Sequence, residues 1–343
     1  MDYYDGTKLM SLRDINGNIP EIYMVTSNRT AGKTTFFSRM AVKKYKECGE
    51  KFAVLYRYNY ELDDCAETFF KDIQGLFFPT DEMTSERKAN GIYHELFLNG
   101  KSCGYAISIN SADAIKRKSH LFSDVVRILF DEFQTESGKY CDKELIKFQS
   151  VHTSIARGKS KQYRYVPVYM MGNPVTLLNP YYIQLGISDK IKQNTHFLRG
   201  DGFVLEQGYN ASASKAQSES AFNRAFTGSS YANYGAEGVY LNDNYTFVEE
   251  PKGNSHYICT IRVDGVDYAV RRFTEQGIIY CNTRVDKDFK MKISATTDDH
   301  QINYVMLEVY AGMIKQLQTF FRLGCFRFKD LRCKSAIIKA LSL

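Results

Sequence analysis

Through residues 1–207, short runs rich in branched and aromatic side chains alternate with longer stretches of helical period. The runs over 22–26, 52–56, 125–130 and 165–171 predict strands, and 33–48, 62–73 and 143–156 predict helices. Such an alternation implies a mostly parallel sheet covered by helices. Between the second and third of these strands, residues 77–110 form an insertion with strand-like segments over 94–98 and 105–109. From 208 to 238 the composition shifts to Ser, Ala, Asn and Gly, as in Ala211-Ser212-Ala213-Ser214, which predicts a linker or a small, lightly packed subdomain. Beyond it, β-like runs over 257–263, 268–273 and 278–281, separated by Asp264-Gly265 and Gln276-Gly277, predict antiparallel hairpins. A long amphipathic helix is then expected from the cap Thr297 to residue 321, with Met306, Tyr310, Met313, Leu317 and Phe320 on its core-facing stripe.

Composition narrows the picture. A chain of 343 residues accommodates a nucleotide-binding-sized domain plus a smaller unit, and 44% hydrophobic residues suffice for a sizeable core. A mean hydropathy of −0.37 and the lack of a membrane-length apolar run predict a soluble protein of the cytoplasm. The start, Met1-Asp2-Tyr3-Tyr4-Asp5, reads as neither signal nor transit peptide. Eight scattered cysteines without a CxxC pair predict buried free thiols, not a metal site or a disulfide framework. The net charge of +6 is mild, but basic residues gather at 43–46, 116–118, 157–164 and in the tail over 322–339, where Phe326 and Phe328 are interleaved. Each run is compatible with a solvated face or with an anionic partner.

One constellation carries chemistry. The first strand runs into Ser27-Asn28-Arg29-Thr30-Ala31-Gly32-Lys33-Thr34-Thr35 and then into helical sequence, the order strand, phosphate loop, helix. In such a loop successive backbone N–H groups surround phosphates, the lysine reaches the β and γ oxygens and the hydroxyl meets Mg²⁺. Lys33 and Thr34 take these roles for ATP, with Ser27 standing where the GxxxxGK[ST] pattern has Gly. About a hundred residues on, the apolar run over 125–130 ends in Asp131-Glu132. Adjacent acids at the end of an apolar strand suit a metal ligand, Asp131, and a group that polarises the attacking water, Glu132. Asn173, after the next strand, is either a sensor of the γ-phosphate or a turn cap. Arg157, and secondly Lys118, are candidates for the cation donated to a neighbouring subunit's γ-phosphate, with a solvated surface charge as the alternative for each. Arg29 instead sits where it can fold over the nucleotide or over Glu132. An acid pair separated from the loop strand by another strand predicts the additional-strand, catalytic-glutamate class of P-loop ATPases.

The set Arg29-x-x-Gly32-Lys33-Thr34, Leu129-Phe130-Asp131-Glu132-Phe133, Gly172-Asn173-Pro174-Val175 and Asn179-Pro180-Tyr181 resembles the DNA-encapsidation ATPases of small podoviruses that prime replication with a protein. The resemblance extends over most of the chain. It implies an α/β fold: a P-loop ATPase domain over 1–207, a linker subdomain over 208–240 and an α+β domain over 241–343 resembling an RNase H-like nuclease that has lost its centre. It implies ATP and Mg²⁺ as cofactors and a homo-oligomeric ring, a pentamer, acting in the host cytoplasm and transiently at the prohead portal vertex. The partners it implies are double-stranded DNA, the portal and a packaging RNA, with no membrane. The trans-acting positions of the family fall on Lys118 and Arg157. A nucleotide-gated scaffold, or another P-loop translocase without a portal, remains the alternative reading of the residues themselves.

Overall fold

The computed structural model describes every residue except 1–2, 159–161, 189, 192–194, 228, 230, 232, 235–239, 242, 244 and 342–343; at 64–67 only the backbone is described. The chain divides into two compact units, Met1–Asn242 and Asp243–Leu343.

The first unit is built on a nine-stranded sheet. Its strands are β1 (Ile22–Thr26), β2 (Lys51–Tyr56), β3 (Met83–Lys88), β4 (Tyr93–Leu98), β5 (Lys101–Ser108), β6 (Val125–Phe130), β7 (Val168–Gly172), β8 (Phe197–Gly200) and β9 (Phe203–Gln207). They lie in the order β3-β4-β5-β2-β6-β7-β1-β9-β8. The centre, β5 to β9 in that order, is parallel, and the antiparallel β3, β4 and β8 flank it. Strand β7 lies between β1 and β6, as the acid-pair strand requires.

Buried on both faces, the parallel strands divide their side chains by period two. Met24, Leu55, Ile128 and Phe130 join one core layer, and Tyr23, Val25, Val54 and Leu129 join the other. Helices α2 (Lys33–Cys48) and α3 (Asn59–Phe77) cover the second layer through Phe37, Ala41, Leu62, Phe70 and Ile73. Helices α4 (Ala112–Arg117) and α5 (Glu144–Ala156) cover the first through Ile115, Phe148, Val151 and Ile155. A short α1 (Thr7–Ser11) precedes the sheet, and α6 (Pro180–Gln184) follows β7, capped by Asn179, whose Oδ1 accepts the Tyr182 N–H at 2.9 Å. The serine-alanine stretch belongs to this unit and holds α7 (Ala211–Ser218) and α8 (Ala221–Ala225). Gly228, Ser230, Ala232 and residues 235–239 of that stretch lie outside the described residues.

The expected elements recur with changed ends. The insertion carries a third strand, β3, and the pair β8–β9 was not expected, yet β9 sits beside β1. Strand β3, Met83-Thr84-Ser85-Glu86-Arg87-Lys88, has one apolar residue and no buried side chain, so its hydrophobic signal is weak.

The second unit is a six-stranded sheet of β10 (His256–Val263), β11 (Val266–Phe273), β12 (Ile278–Asn282), β13 (Lys292–Ser294), β14 (Val305–Met306) and β15 (Phe326–Phe328), in the order β14-β13-β10-β11-β12-β15. Strands β10, β11 and β12 form an antiparallel meander, with β13 parallel to β10 and β14 parallel to β13. This is the strand order of an RNase H-like sheet, with β15 added parallel to β12. Loops replace the helices that separate the later strands in that fold, so the unit matches it only in part. The first hairpin turns at Asp264 (φ 50°) and Gly265 (φ 76°), a pair of left-handed residues as the sequence pattern requires.

Instead of one helix over 297–321, the chain forms one-turn 3₁₀ segments at Thr297–Asp299 and Leu307–Tyr310, strand β14, and a helix only over Ala311–Arg322. Asp299 accepts from the Gly265 N–H and from Thr296 Oγ1, both at 2.8 Å, and Tyr304 donates to Asp267 at 2.9 Å. Side chains with turn and hairpin partners outcompete the helical backbone there. The helix keeps Leu317 in the core, with Met313 and Phe320 packed beside it. Phe326 and Phe328, expected in a basic tail, are fully buried in β15, and a further helix, Leu331–Leu341, packs Cys333, Ile337 and Leu341 on the same core. Of the described cysteines all are free; Cys48 is exposed and Cys325 half-buried, in place of the uniform burial expected.

Candidate functional site

The loop after β1 closes on the N-terminus of α2. Gly32, at φ 91°, is the N-cap, and a Cβ there would lie 2.8 Å from the Tyr3 ring. Both the left-handed backbone and the close ring demand glycine. Thr30 also has positive φ, but Ser27 does not, so the serine in the pattern's glycine place meets no backbone conflict. Ser27 is buried, and its Oγ lies 2.9 Å from Lys33 Nζ.

Lys33 is 6% exposed and folds over the mouth of the loop, donating to Ser27 O at 3.1 Å, Asn28 O at 3.2 Å and Asn173 Oδ1 at 3.1 Å. Burial pulls its ammonium down to about 8; Asp131 opposes this and Arg29 adds to it. Asn173, at the tip of β7, therefore stands beside the loop, as the sequence places it. Thr34 Oγ1 donates to Asp131 Oδ2 at 2.8 Å, bringing the loop and the acid pair together. Burial raises the Asp131 carboxyl, while the Thr34 hydroxyl and the Glu132 N–H (2.9 Å) oppose that rise.

Glu132 adopts φ 52°, a left-handed turn that breaks the strand and swings the next carboxylate into the cleft. That conformation costs a non-glycine residue of order 1 kcal/mol and is held by what surrounds it. Arg57, at the end of β2, donates Nη1 to the Glu132 carbonyl (3.3 Å) and Nη2 to the Phe133 carbonyl (3.1 Å). The same guanidinium makes a two-pronged pair with Glu144, at 2.8 and 3.0 Å, and Tyr181 donates to Glu144 at 2.8 Å. Arg57 and Glu144 are both buried. This network was missed at the level of sequence; a charged residue closing an apolar strand, as Arg57 closes β2, was the available signal. Glu132 faces a cleft of about 360 Å³ lined by Thr34, Arg57, Glu61, Asp72 and Asp131. Its carboxyl is raised by burial first, then by Asp131 and Glu136, with Arg29 opposing.

Arg29 does not reach the acid pair. Its Nη1 donates to Glu136 Oε1 at 2.7 Å and to Tyr231, while Tyr234 donates to the same Glu136 oxygen at 2.8 Å. The serine-alanine stretch thus packs directly on the loop: Asn28 and Asn210 exchange hydrogen bonds of 2.9 and 3.0 Å, and Gln217 donates to Arg29 O and Thr30 Oγ1.

Arg157 stands apart from this centre in its own chain. Arg164 ties the carbonyls of Ile155 and Val125, so the end of α5, where Arg157 is exposed, adjoins the start of β6. The acid pair lies at the other end of β6, about 20 Å away at roughly 3.3 Å per strand residue. Lys118 follows α4 and is half-buried. Neither side chain has an ion pair or hydrogen bond among the described residues, and Lys159 and Lys161 of the same basic run lie outside them.

A glycine-capped phosphate loop between β1 and α2, an acid pair at the tip of β6 and the interposed β7 define an additional-strand P-loop NTPase fold. The model of the podovirus DNA encapsidation protein (Gp16) family matches residues 2–341, and the chain belongs to that family. The DNA packaging proteins of Bacillus phages PZA and phi29 are each 23% identical to it over 332 residues, covering 96% of this chain and 93% of theirs. Among solved structures, the bacteriophage Phi-29 viral genome packaging motor assembly matches 100% of this chain and 98% of its own, at 21% identity and a TM-score of 0.72. The Phi-28 gp11 DNA packaging motor matches 99% and 98% at 15% identity and a TM-score of 0.59. Both likenesses are of fold over the full chain.

Proposed function

We propose that this chain is an ATPase whose hydrolysis of ATP drives double-stranded DNA through a portal into a preformed prohead. The observation that carries the reading is the 2.8 Å hydrogen bond from Thr34 to Asp131 beside the buried Lys33, a phosphate loop already joined to its acid strand. A hydroxyl and a carboxylate are hard oxygen donors, the set that suits Mg²⁺, so Thr34 and Asp131 would hold the ion. The ion held there would supply neutralisation of the phosphate charge. The backbone of 27–32 and the start of α2 at Lys33, Thr34 and Thr35 hold the phosphates, and Lys33 turns from its present carbonyl partners to them. Asn173, now on Lys33, becomes free to meet the γ-phosphate. Glu132 orients the attacking water and takes its proton.

The remote, exposed position of Arg157 fits donation to a neighbouring site in a homo-oligomeric ring, for which a pentamer is our proposal, with Lys118 as the second candidate. Packaging RNA and the portal are the further partners proposed, in the host cytoplasm and at the portal vertex. No described helix is long and apolar enough to cross a membrane. No acid lies within β10 or β13, where an RNase H-like centre would need one, which supports the proposal that the second unit binds and does not cut. The deciding measurement is phosphate release by the purified protein with and without double-stranded DNA or proheads. We expect stimulation by both and loss of turnover in Lys33→Ala and Glu132→Gln. A rate indifferent to DNA would sink the motor, and tight ATP binding without turnover would make the chain a nucleotide-gated scaffold.

A further inference from the structure

Beside the phosphate loop, on the side away from the acid pair, lies a second hollow of about 260 Å³. Its walls come from Tyr3, Tyr4, Ala31, His196, Glu206 and Tyr209. Two chain segments bring these residues to the loop. The N-terminal segment is tied there by the Tyr4 N–H, which donates to Ala31 O at 2.8 Å, and by the Tyr3 ring over Gly32. The other segment leaves β9, whose pairing with β1 sets Gln207 opposite Thr26, and runs on along the loop with the Gly208 N–H on Thr26 O at 2.7 Å.

The chemistry of the hollow differs from that of the cleft at Glu132. Tyr3 and Tyr209 are 49% and 60% exposed, so both rings offer faces that the fold has not used. Glu206 is 7% exposed. One of its oxygens accepts from Tyr4 OH at 2.6 Å, and the other is 3.4 Å from His196 Nε2. A carboxylate has about four lone-pair sites, so Glu206 retains acceptor capacity toward the hollow. An aromatic rim over a buried acceptor suits a flat heterocycle with an N–H donor on its edge.

We propose that this hollow is the base subsite of the nucleotide site and that it takes a 6-aminopurine. The inference rests on the phosphate-loop reading above. With the phosphates held at the start of α2, Ser27 and Ala31 of the loop form the boundary shared with the hollow, so sugar and base leave toward it. The base stacks on Tyr3 and Tyr209, and Glu206 accepts from the exocyclic 6-amino group. A 6-oxo purine sets an oxygen against that carboxylate and is disfavoured.

The test uses the full chain and direct titration with ATP, ITP and inorganic triphosphate, with thermal melts to show that each variant is folded. Stacking of a base on an aromatic side chain is worth about 1–3 kcal/mol, so Tyr209→Ala and Tyr3→Ala should each weaken ATP about fivefold or more. Inorganic triphosphate, which has no base, should bind both variants as it binds the parent. Glu206→Gln, whose amide can donate to a 6-oxo group, should shrink the preference for ATP over ITP. Unchanged ATP affinity in both tyrosine variants, an equal loss for ATP and triphosphate, or an unaltered ATP/ITP ratio in Glu206→Gln would overturn the subsite. If the parent binds neither ATP nor triphosphate, or Lys33→Ala weakens neither, the phosphate-loop reading itself fails, a result distinguishable from loss of the base contact alone.

Discussion

Lys33 is a desolvated cation whose neighbours are carbonyl oxygens, Ser27 Oγ and an amide oxygen. Its folded pKa, about 8, lies below the ordinary lysine value. The sign follows from proton linkage: between that value and the unfolded one, the unfolded chain binds more protons, so the penalty of holding Lys33 charged is present below pH 8 and fades as pH rises. Phosphate binding needs the charged form. We therefore expect the Kd for ATP to be flat up to about pH 7.5 and to rise up to about tenfold between pH 8 and 9, a rise that Lys33→Ala lacks. Glu132 shifts the other way. Burial, Asp131 and Glu136 hold its carboxyl above the usual range, so the acid limb of the kcat/KM profile, which reports the free enzyme, should lie above that of an ordinary glutamate. Removing one of the charges that raise it, by Glu136→Gln, should move that limb to lower pH. An unmoved limb would assign it to another group.

At the scale of elements, the site is the meeting of three strand ends and one helix start, and buried polar groups hold the ends in place. Glu144, on the first turn of α5, and Arg57, after β2, pair in a site closed to water, and the Arg57 guanidinium so held donates to the carbonyls of Glu132 and Phe133. Breaking one partner leaves a buried unpaired charge, so Glu144→Ala should cost about 3–5 kcal/mol in urea unfolding. The double change Arg57→Met with Glu144→Leu should recover part of that stability but no turnover, because the turn at Glu132 loses its support. The Asn210 side chain caps α7 through the Ala213 N–H at 2.9 Å, while its main-chain N–H and C=O exchange hydrogen bonds with the Asn28 amide of the loop. Asn210→Ala should therefore cost about 1 kcal/mol as a lost cap and leave ATP binding unchanged, whereas Asn28→Ala, which removes both bonds to the stretch, should weaken ATP binding.

For the whole molecule, each unit has its own apolar core: two layers about the nine-stranded sheet, and a third cluster around Cys259, Ile261, Phe326 and Ile337. A segment that closes its own core can fold alone. Residues 243–343 expressed separately should unfold in one cooperative transition; a non-cooperative melt would show that they depend on the first unit. Subunit exchange tests the proposed ring. Arg157→Ala subunits mixed with parent subunits should lower turnover by more than their share, and strict proportionality would place the trans-acting cation elsewhere.

Local sequence was sufficient for the loop, the acid pair and the strand between them. A glycine at positive φ, a lysine and hydroxyl at a helix start and acids ending an apolar strand are constraints that act within a few residues. Period and turn chemistry likewise marked β1, β2, β6 and the hairpin at Asp264-Gly265. The long helix expected at 297–321 failed because Asp299 and Tyr304 find partners on the β10–β11 hairpin, some thirty-odd positions away, and periodicity is blind to such bonds. Only the tertiary structure set Arg57 on Glu144, laid the serine-alanine stretch across Asn28 and Arg29, and brought Tyr4 to Glu206 over a separation of 202 residues. Long-range contacts like these depend on strand order, which distant burial decides, and so no window of the sequence contains them.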